Sequence, residues 1–281
     1  VPALFVIPAV CWLPVFFCEP TMTCLRLAAR AALSQAGLAD KLAAVAALDL
    51  TLPVGAEPLS PCAGPLPGRP AHPLLVPPGQ LPRRSLHSVA GRAALIHALA
   101  HIELNAIDLA LDIVWRFPGL PEAFYHDWLG VAVEEAGHFQ LLHAHLNSLG
   151  YQYGDFPAHN GLWDMAEKTA DDILARLALV PRTLEARGLD VSPPLQDKLR
   201  QAGDHAAVAI LEVILRDEIG HVALGNRWFH TLCAARGLDP AAHYRQLCHD
   251  YHAPRLRGPF NLPARRLAGF DEAELAALEA G

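Results

Sequence analysis

Apolar residues recur along this chain at spacings of three and four, as in Leu95, Leu99, Ile102 and Ala106, the period of one helical face. That period predicts helices over 23–36 and 38–50 with Gly37 as the turn, then four longer ones. The first long helix runs from about Ser85 to Phe117 and is ended by Pro118-Gly119. A second starts at Pro121, a favoured first-turn residue, and stops at Gly150. The third is expected from about Gly161 to Arg187, with Gly188 as its stop, and a short helix near 194–202 follows. The fourth runs from about Asp204 to Arg236 and ends at Gly237. No alternating run of β-branched residues is long enough for a sheet, so the expected class is all-α. Four helices of roughly thirty residues with short joints predict an antiparallel four-helix bundle.

Around that bundle (83–236) the pattern divides the rest of the chain. Residues 22–50 form an N-terminal helical pair. Residues 51–82 hold ten prolines and no period, the mark of an extended linker over the surface or loose in solvent. Residues 237–281 read as a C-terminal cap. The first 21 residues are apolar, but prolines at 2, 8, 14 and 20 break any spanning helix, and no basic residue precedes Glu19. The reading preferred for 1–21 is an upstream extension outside the native protein; a hydrophobic anchor or signal sequence is the rival.

Composition narrows the function classes. A net charge of −7 argues against broad wrapping on nucleic acid or an anionic membrane. The six cysteines form no C-x-x-C pair, which reads as reduced thiols of a cytoplasmic protein.

Two stretches carry the chemistry. VEEAGHF and RDEIGHV each contain Glu-x-x-His, as Glu135/His138 and Glu218/His221. Residues three apart share a helical face, so carboxylate and imidazole converge as they must to hold a first-row metal ion. One such pair is weak, because chance alone gives roughly 0.7 occurrences at this composition. The upstream residues sharpen it: Glu103 precedes Glu135 by 32 residues and Glu185 precedes Glu218 by 33. Each half of the bundle thus reads as a glutamate followed by Glu-x-x-His, an internal duplication of two helices. All four glutamates lie in apolar stretches, where four uncompensated carboxylates would protonate or open the core. Two divalent cations balance them. The competing reading puts them on solvated faces, with Arg182 and Arg187 serving Glu185.

The pattern resembles the ferritin-like superfamily of di-iron carboxylate proteins. The strings AHIELNAIDLALD, GDFPAHNGLW, LVPRTLEARGLD and RDEIGHVALGNRWF resemble one branch, the bacterial family known as domain of unknown function 455, over about residues 24–270. LEARG is also similar to the di-iron tRNA hydroxylases, which favours Glu185 over Glu167 as third-helix ligand. The resemblance implies Glu103, Glu135, His138, Glu185, Glu218 and His221 as metal ligands, with Glu135 and Glu218 as bridges. It also implies that Asp217 holds His138 and Glu134 holds His221 from across the bundle; plain surface acids are the alternative for both. The implied cofactor is two iron ions, with di-manganese or mixed Mn/Fe fitting the same oxygen-rich donors.

Three further features are placed by the residues themselves. Pro181, inside the third helix, should kink it or open a bulge beside the site. His97 and His101 share a face turned away from Glu103 and read as core or surface histidines. Gly137 and Gly220, directly before the two ligand histidines, are expected to let a neighbouring helix or the supporting acid come close.

The expected activity is O₂-dependent oxidation or hydroxylation of an organic substrate, a small molecule or modified base, with an electron donor if the reaction is a monooxygenation. Iron handling or peroxide scavenging, including di-manganese catalase chemistry, is the alternative; a non-catalytic helical scaffold is a third. No membrane partner is expected, and no nucleic-acid partner is committed to. The cap arginines Arg255, Arg257, Arg265 and Arg266 read as solvated surface charge, with an anionic ligand as the rival.

Overall fold

The computed structural model describes residues 23–56, 59, 64–82 and 84–280; the expectation for residues 1–21 lies outside them. Among the described residues the fold is all-helical, with one isolated bridge between Leu75 and Ala158 and no strand. Helices α1 (Leu25–Leu33) and α2 (Leu38–Ala46) precede the long α3 (Val89–Arg116) and α4 (Glu122–Ser148). After these come α5 (Gly161–Lys168), α6 (Ile173–Leu179), a π-helical segment (Val180–Glu185) and α7 (Ala186–Gln201). Then follow α8 (His205–Ala235), α9 (Pro240–Asp250), α10 (Leu262–Leu267) and α11 (Glu272–Ala280).

α3 and α4 pack on each other along their lengths, α4 crosses to α8, and α6, the π segment and α7 lie along α8. Ser88 opens α3 by accepting the Gly91 N–H, and Asp204 opens α8 by accepting that of Ala207. Gly150 and Gly237 follow α4 and α8 with φ of 84° and 65°, a backbone region that only glycine enters freely. α3 is long and apolar enough to cross a membrane, yet 72% of its most apolar window is buried inside the protein. Its apolarity serves a core that meets helices on several sides.

The third long helix departs from expectation twice. It is interrupted between Lys168 and Ile173, because Asp172 turns its carboxylate onto the Leu174 and Ala175 N–H groups and starts a new helix. Local capping there overrides apolar periodicity. At the other end Gly188 does not stop the chain: α7 continues through Pro193 and Pro194 to Gln201. Pro193 has no N–H for the Leu189 carbonyl, and Asn261 supplies one, donating its Nδ2 to that oxygen at 3.0 Å. The short helix expected near 194–202 is the end of α7.

Buried ion pairs fasten the outer elements. Lys41 of α2 meets Asp108 of α3, Arg265 of α10 clamps Asp190 of α7 at 2.6 and 2.9 Å, and Arg182 of the π segment meets Glu274 of α11. The proline-rich segment is tied down where it is described. Val76 donates to the Ala158 carbonyl, Gly68 to Leu33, and Arg69 reaches Asn160 and Asn105. Of the cap arginines, Arg265 is buried in its ion pair and Arg266 pairs with Glu272 at the surface; Arg255 and Arg257 are exposed.

Candidate metal centre

Three helices bring the carboxylates and imidazoles together. Ligand atoms of Glu103 on α3, Glu135 and His138 on α4, and Glu218 on α8 all lie within 4.8 Å of one another. Glu135 stands between the two histidines, with Oε2 at 3.1 Å from His138 Nδ1 and Oε1 at 3.0 Å from His221 Nδ1. Glu103 approaches His138 Nδ1 to 3.3 Å, and Glu218 lies 3.8 Å from His221 Nδ1. Glu185, from the π segment, stands outside the tight group but lines a cavity of about 440 Å³ with Glu103 and Glu218. Glu167 is exposed and accepts the Trp163 indole N–H at 2.9 Å.

Both imidazoles are held from behind. His138 Nε2 meets Asp217 at 3.2 Å, and His221 Nε2 meets Glu134 at 2.7 Å, each bond crossing between α4 and α8. An Nε2–H given to a carboxylate leaves Nδ1 as the lone-pair nitrogen, and both Nδ1 atoms face inward. Asp217 itself is held by Arg216 at 2.8 Å.

The electrostatics of the pocket are those of too many acids for its cations. Burial, then the Glu135 charge, holds the Glu103 carboxyl well above the usual range. Burial followed by the charges of Glu218 and Glu135 pushes Glu185 up to about 8, and burial with Glu135 raises Glu218. Glu135 goes the other way: burial opposes its charge, but the two histidine rings set against its oxygens win and keep it ionised. The histidines are correspondingly basic, His138 pushed up to about 11 and His221 to about 12, because their carboxylate neighbours outweigh burial. Protons thus occupy a site whose donors are four carboxylates and two imidazoles. Glu103 Oε2 and His221 Nδ1 are fully buried without a hydrogen-bond partner. Orphaned acceptors facing one point fit a divalent cation better than they fit each other.

The glycine expectation is overturned. A Cβ added at Gly137 or Gly220 meets nothing within 4 Å, so neither residue admits a neighbour. The close approach is at Gly225, one turn beyond His221, where an added Cβ would lie 2.7 Å from the Pro181 Cβ. Pro181 falls in the π segment that carries Glu185, and Thr183 Oγ1 donates to the Ala178 carbonyl at 2.7 Å there. Wide turns of this kind often accompany functional sites. His97 and His101 are buried in the core: His101 contacts the Tyr153 hydroxyl and His97 accepts the Gly154 N–H, away from the carboxylates.

Sequence reasoning missed Arg176. It is buried, donates to Asp112 at 2.5 Å, and its charge pulls against the rise in Glu185. Its signal is a lone arginine inside the apolar run ILARLAL.

Comparison with known proteins places the chain without describing its chemistry. No solved structure matches it. An uncharacterized protein of Haemophilus influenzae is 54% identical over 213 residues, 73% of this chain and 74% of that protein. Residues 27–276 match the family described as "Protein of unknown function (DUF455)". That match spans almost all of the described residues and includes every residue of the candidate centre, so the chain belongs to the DUF455 family.

Proposed function

We propose that this chain is a di-metal carboxylate protein of ferritin-like architecture that activates O₂ to oxidise or hydroxylate an organic substrate. In this reading α3, α4, α6 with α7, and α8 are the four passes of an antiparallel bundle. Glu103, Glu135, His138, Glu185, Glu218 and His221 hold the metals. The observation that carries the reading is the double use of Glu135, one oxygen toward each inward-facing imidazole, beside the buried Glu103 and the half-buried Glu185 and Glu218.

Two ferrous ions, if held by these six residues, would supply two electrons to O₂, and manganese suits the same donors. The protein's own part is positional. Asp217 and Glu134 keep each imidazole's lone pair turned inward, and Glu135 spaces the two nitrogens. The largely apolar cavity of about 440 Å³ lies against Glu103, Glu185 and Glu218, so an apolar occupant would exclude bulk water from them. That cavity favours an organic substrate over iron oxidation or peroxide removal, which need only access for small solutes. No C-x-x-C site is present to relay electrons, so a hydroxylation draws on an external donor.

Elemental analysis with optical spectroscopy of the native protein tests the reading. The expected result is two iron or manganese ions per chain, about one or fewer in Glu135→Ala and Glu218→Ala, and helical content unchanged. Wild type with fewer than one transition metal per chain rejects it and leaves the scaffold reading.

A further inference from the structure

The cavity beside the candidate centre has one cationic side chain that nothing satisfies. Arg187 lies in the first turn of α7, two residues after Glu185, and lines the same space as Glu103, Glu185 and Glu218. It is half-buried and makes no hydrogen bond, ion pair or ring contact among the described residues. Residues two apart on a helix diverge, which is why the adjacent Glu185 does not take it. The contrast with the fully buried arginines is sharp. Arg26 ends on the Trp115 and Gly55 carbonyls, Arg176 on Asp112, Arg182 on Glu274 and Arg265 on Asp190.

The rest of the wall is apolar, including Leu99, Leu184, Leu195, Leu211 and Ile214. Ile102 and Val191 also line it and are left 39% and 41% exposed, a poor arrangement unless another apolar surface covers them. At about 30 Å³ for each water-sized group, 440 Å³ holds roughly fifteen non-hydrogen atoms. Charge completes the picture. Two divalent cations offset the four carboxylates, so the charge left on the cavity is that of Arg187.

We propose that the site takes an amphipathic organic anion, its apolar body filling this cavity and its anionic end paired with Arg187. The proposal rests on the metal-centre reading for the chemistry done on that body, while the binding claim concerns residues of this chain alone. A guanidinium offers two parallel N–H groups to a carboxylate, sulfonate or phosphate and fixes the chain's direction, presenting one region of it to the carboxylate wall.

Calorimetric titration of the full chain, loaded with Fe(II) under nitrogen, with octane-1-sulfonate and with octan-1-ol tests this without turnover. Sulfonate is chosen because it is a poor metal ligand. Expected is at least tenfold tighter binding of the sulfonate by wild type. In Arg187→Leu that preference vanishes while alcohol affinity stays within twofold, and Leu195→Trp weakens both ligands at least fivefold. Equal affinities in wild type, no binding of either ligand, a preference retained in Arg187→Leu, or indifference to Leu195→Trp would each overturn the proposal. The wild-type comparison needs no variant to fold. Iron content separates the two claims: Arg187→Leu is expected to load as wild type does. If wild type takes up no iron, the metal reading fails, and the same titrations on the chain as purified still decide the role of Arg187.

Discussion

Glu135 and His97 show how differently a buried polar residue can be used. The Glu135 carboxylate is ionised among other acids because two histidines reach it, which makes it the hinge of the candidate centre. His97 is equally buried but serves as an acceptor: the Gly154 N–H points at its Nε2 at 2.9 Å, and its ring stacks on Tyr153. Protonating Nε2 would set two donors face to face. Burial accordingly lowers the His97 pKa from 6.5 to about 4. The sign follows from linkage: the unfolded chain binds the proton first, so this contribution is complete above about pH 6.5 and is lost as pH falls through about 4. Thermal melts of wild type and His97→Gln, which keeps an acceptor and cannot titrate, check it. Wild type is expected to lose more of its melting temperature between pH 7 and 4.5 than the variant. Parallel losses would mean that His97 does not couple folding to pH. Nothing in the string ALIHALA distinguishes this role from a surface histidine, because the partner is 57 residues away.

At the scale of elements, the two Glu-x-x-His helices were legible because a local rule, i to i+3 on one face, places both donors without reference to the rest of the chain. Glu103 was legible through the duplication. The third pass was not, because long-range groups decide it. Asn261 rescues the Leu189 carbonyl that Pro193 strands, so a helix passes two prolines where sequence rules end it. Gly225 of α8 admits Pro181, so a π turn forms where only a kink or bulge was foreseeable. Substitutions separate the glycines that matter from those that do not. Gly225→Ala puts a methyl group 2.7 Å from a stiff proline ring and is expected to cost about 1–3 kcal/mol. It should also lower metal content through displacement of Glu185. Gly137→Ala meets no atom within 4 Å and is expected to stabilise by roughly 0.5–1 kcal/mol through helix propensity. Denaturant melts with metal analysis check both. Equal effects of the two substitutions would show that the Pro181 contact does not fix the segment.

For the whole molecule the question is what holds the outer elements against the core that carries the centre. Apolar contacts join α1 to α3 and α2 to α4, but they are not directional, and the buried ion pairs fix the register. Lys41 is the clearest case. Its ammonium meets Asp108, the Leu33 carbonyl at 3.3 Å and the Gly68 carbonyl at 3.0 Å. One group thereby gathers α1, α2, the proline-rich segment and α3, five residues beyond Glu103. Asp108 depends on it: burial pushes that carboxyl up to about 6 even with Lys41 opposing the rise. Lys41→Met removes the cation and leaves the acid behind, which is expected to cost about 3–5 kcal/mol in urea unfolding. Replacing both partners, as Lys41→Met with Asp108→Leu, should recover part of that loss, because two buried charges disappear together. Recovery stays incomplete by roughly 1–3 kcal/mol, since the Leu33 and Gly68 carbonyls lose their donor in either variant. A Lys41→Met variant that costs under about 1 kcal/mol, or a double variant no better than the single, would show that apolar packing alone seats the N-terminal pair. In that event the register of α3, and with it the position of Glu103, is set by α4, its principal neighbour along nearly its whole length.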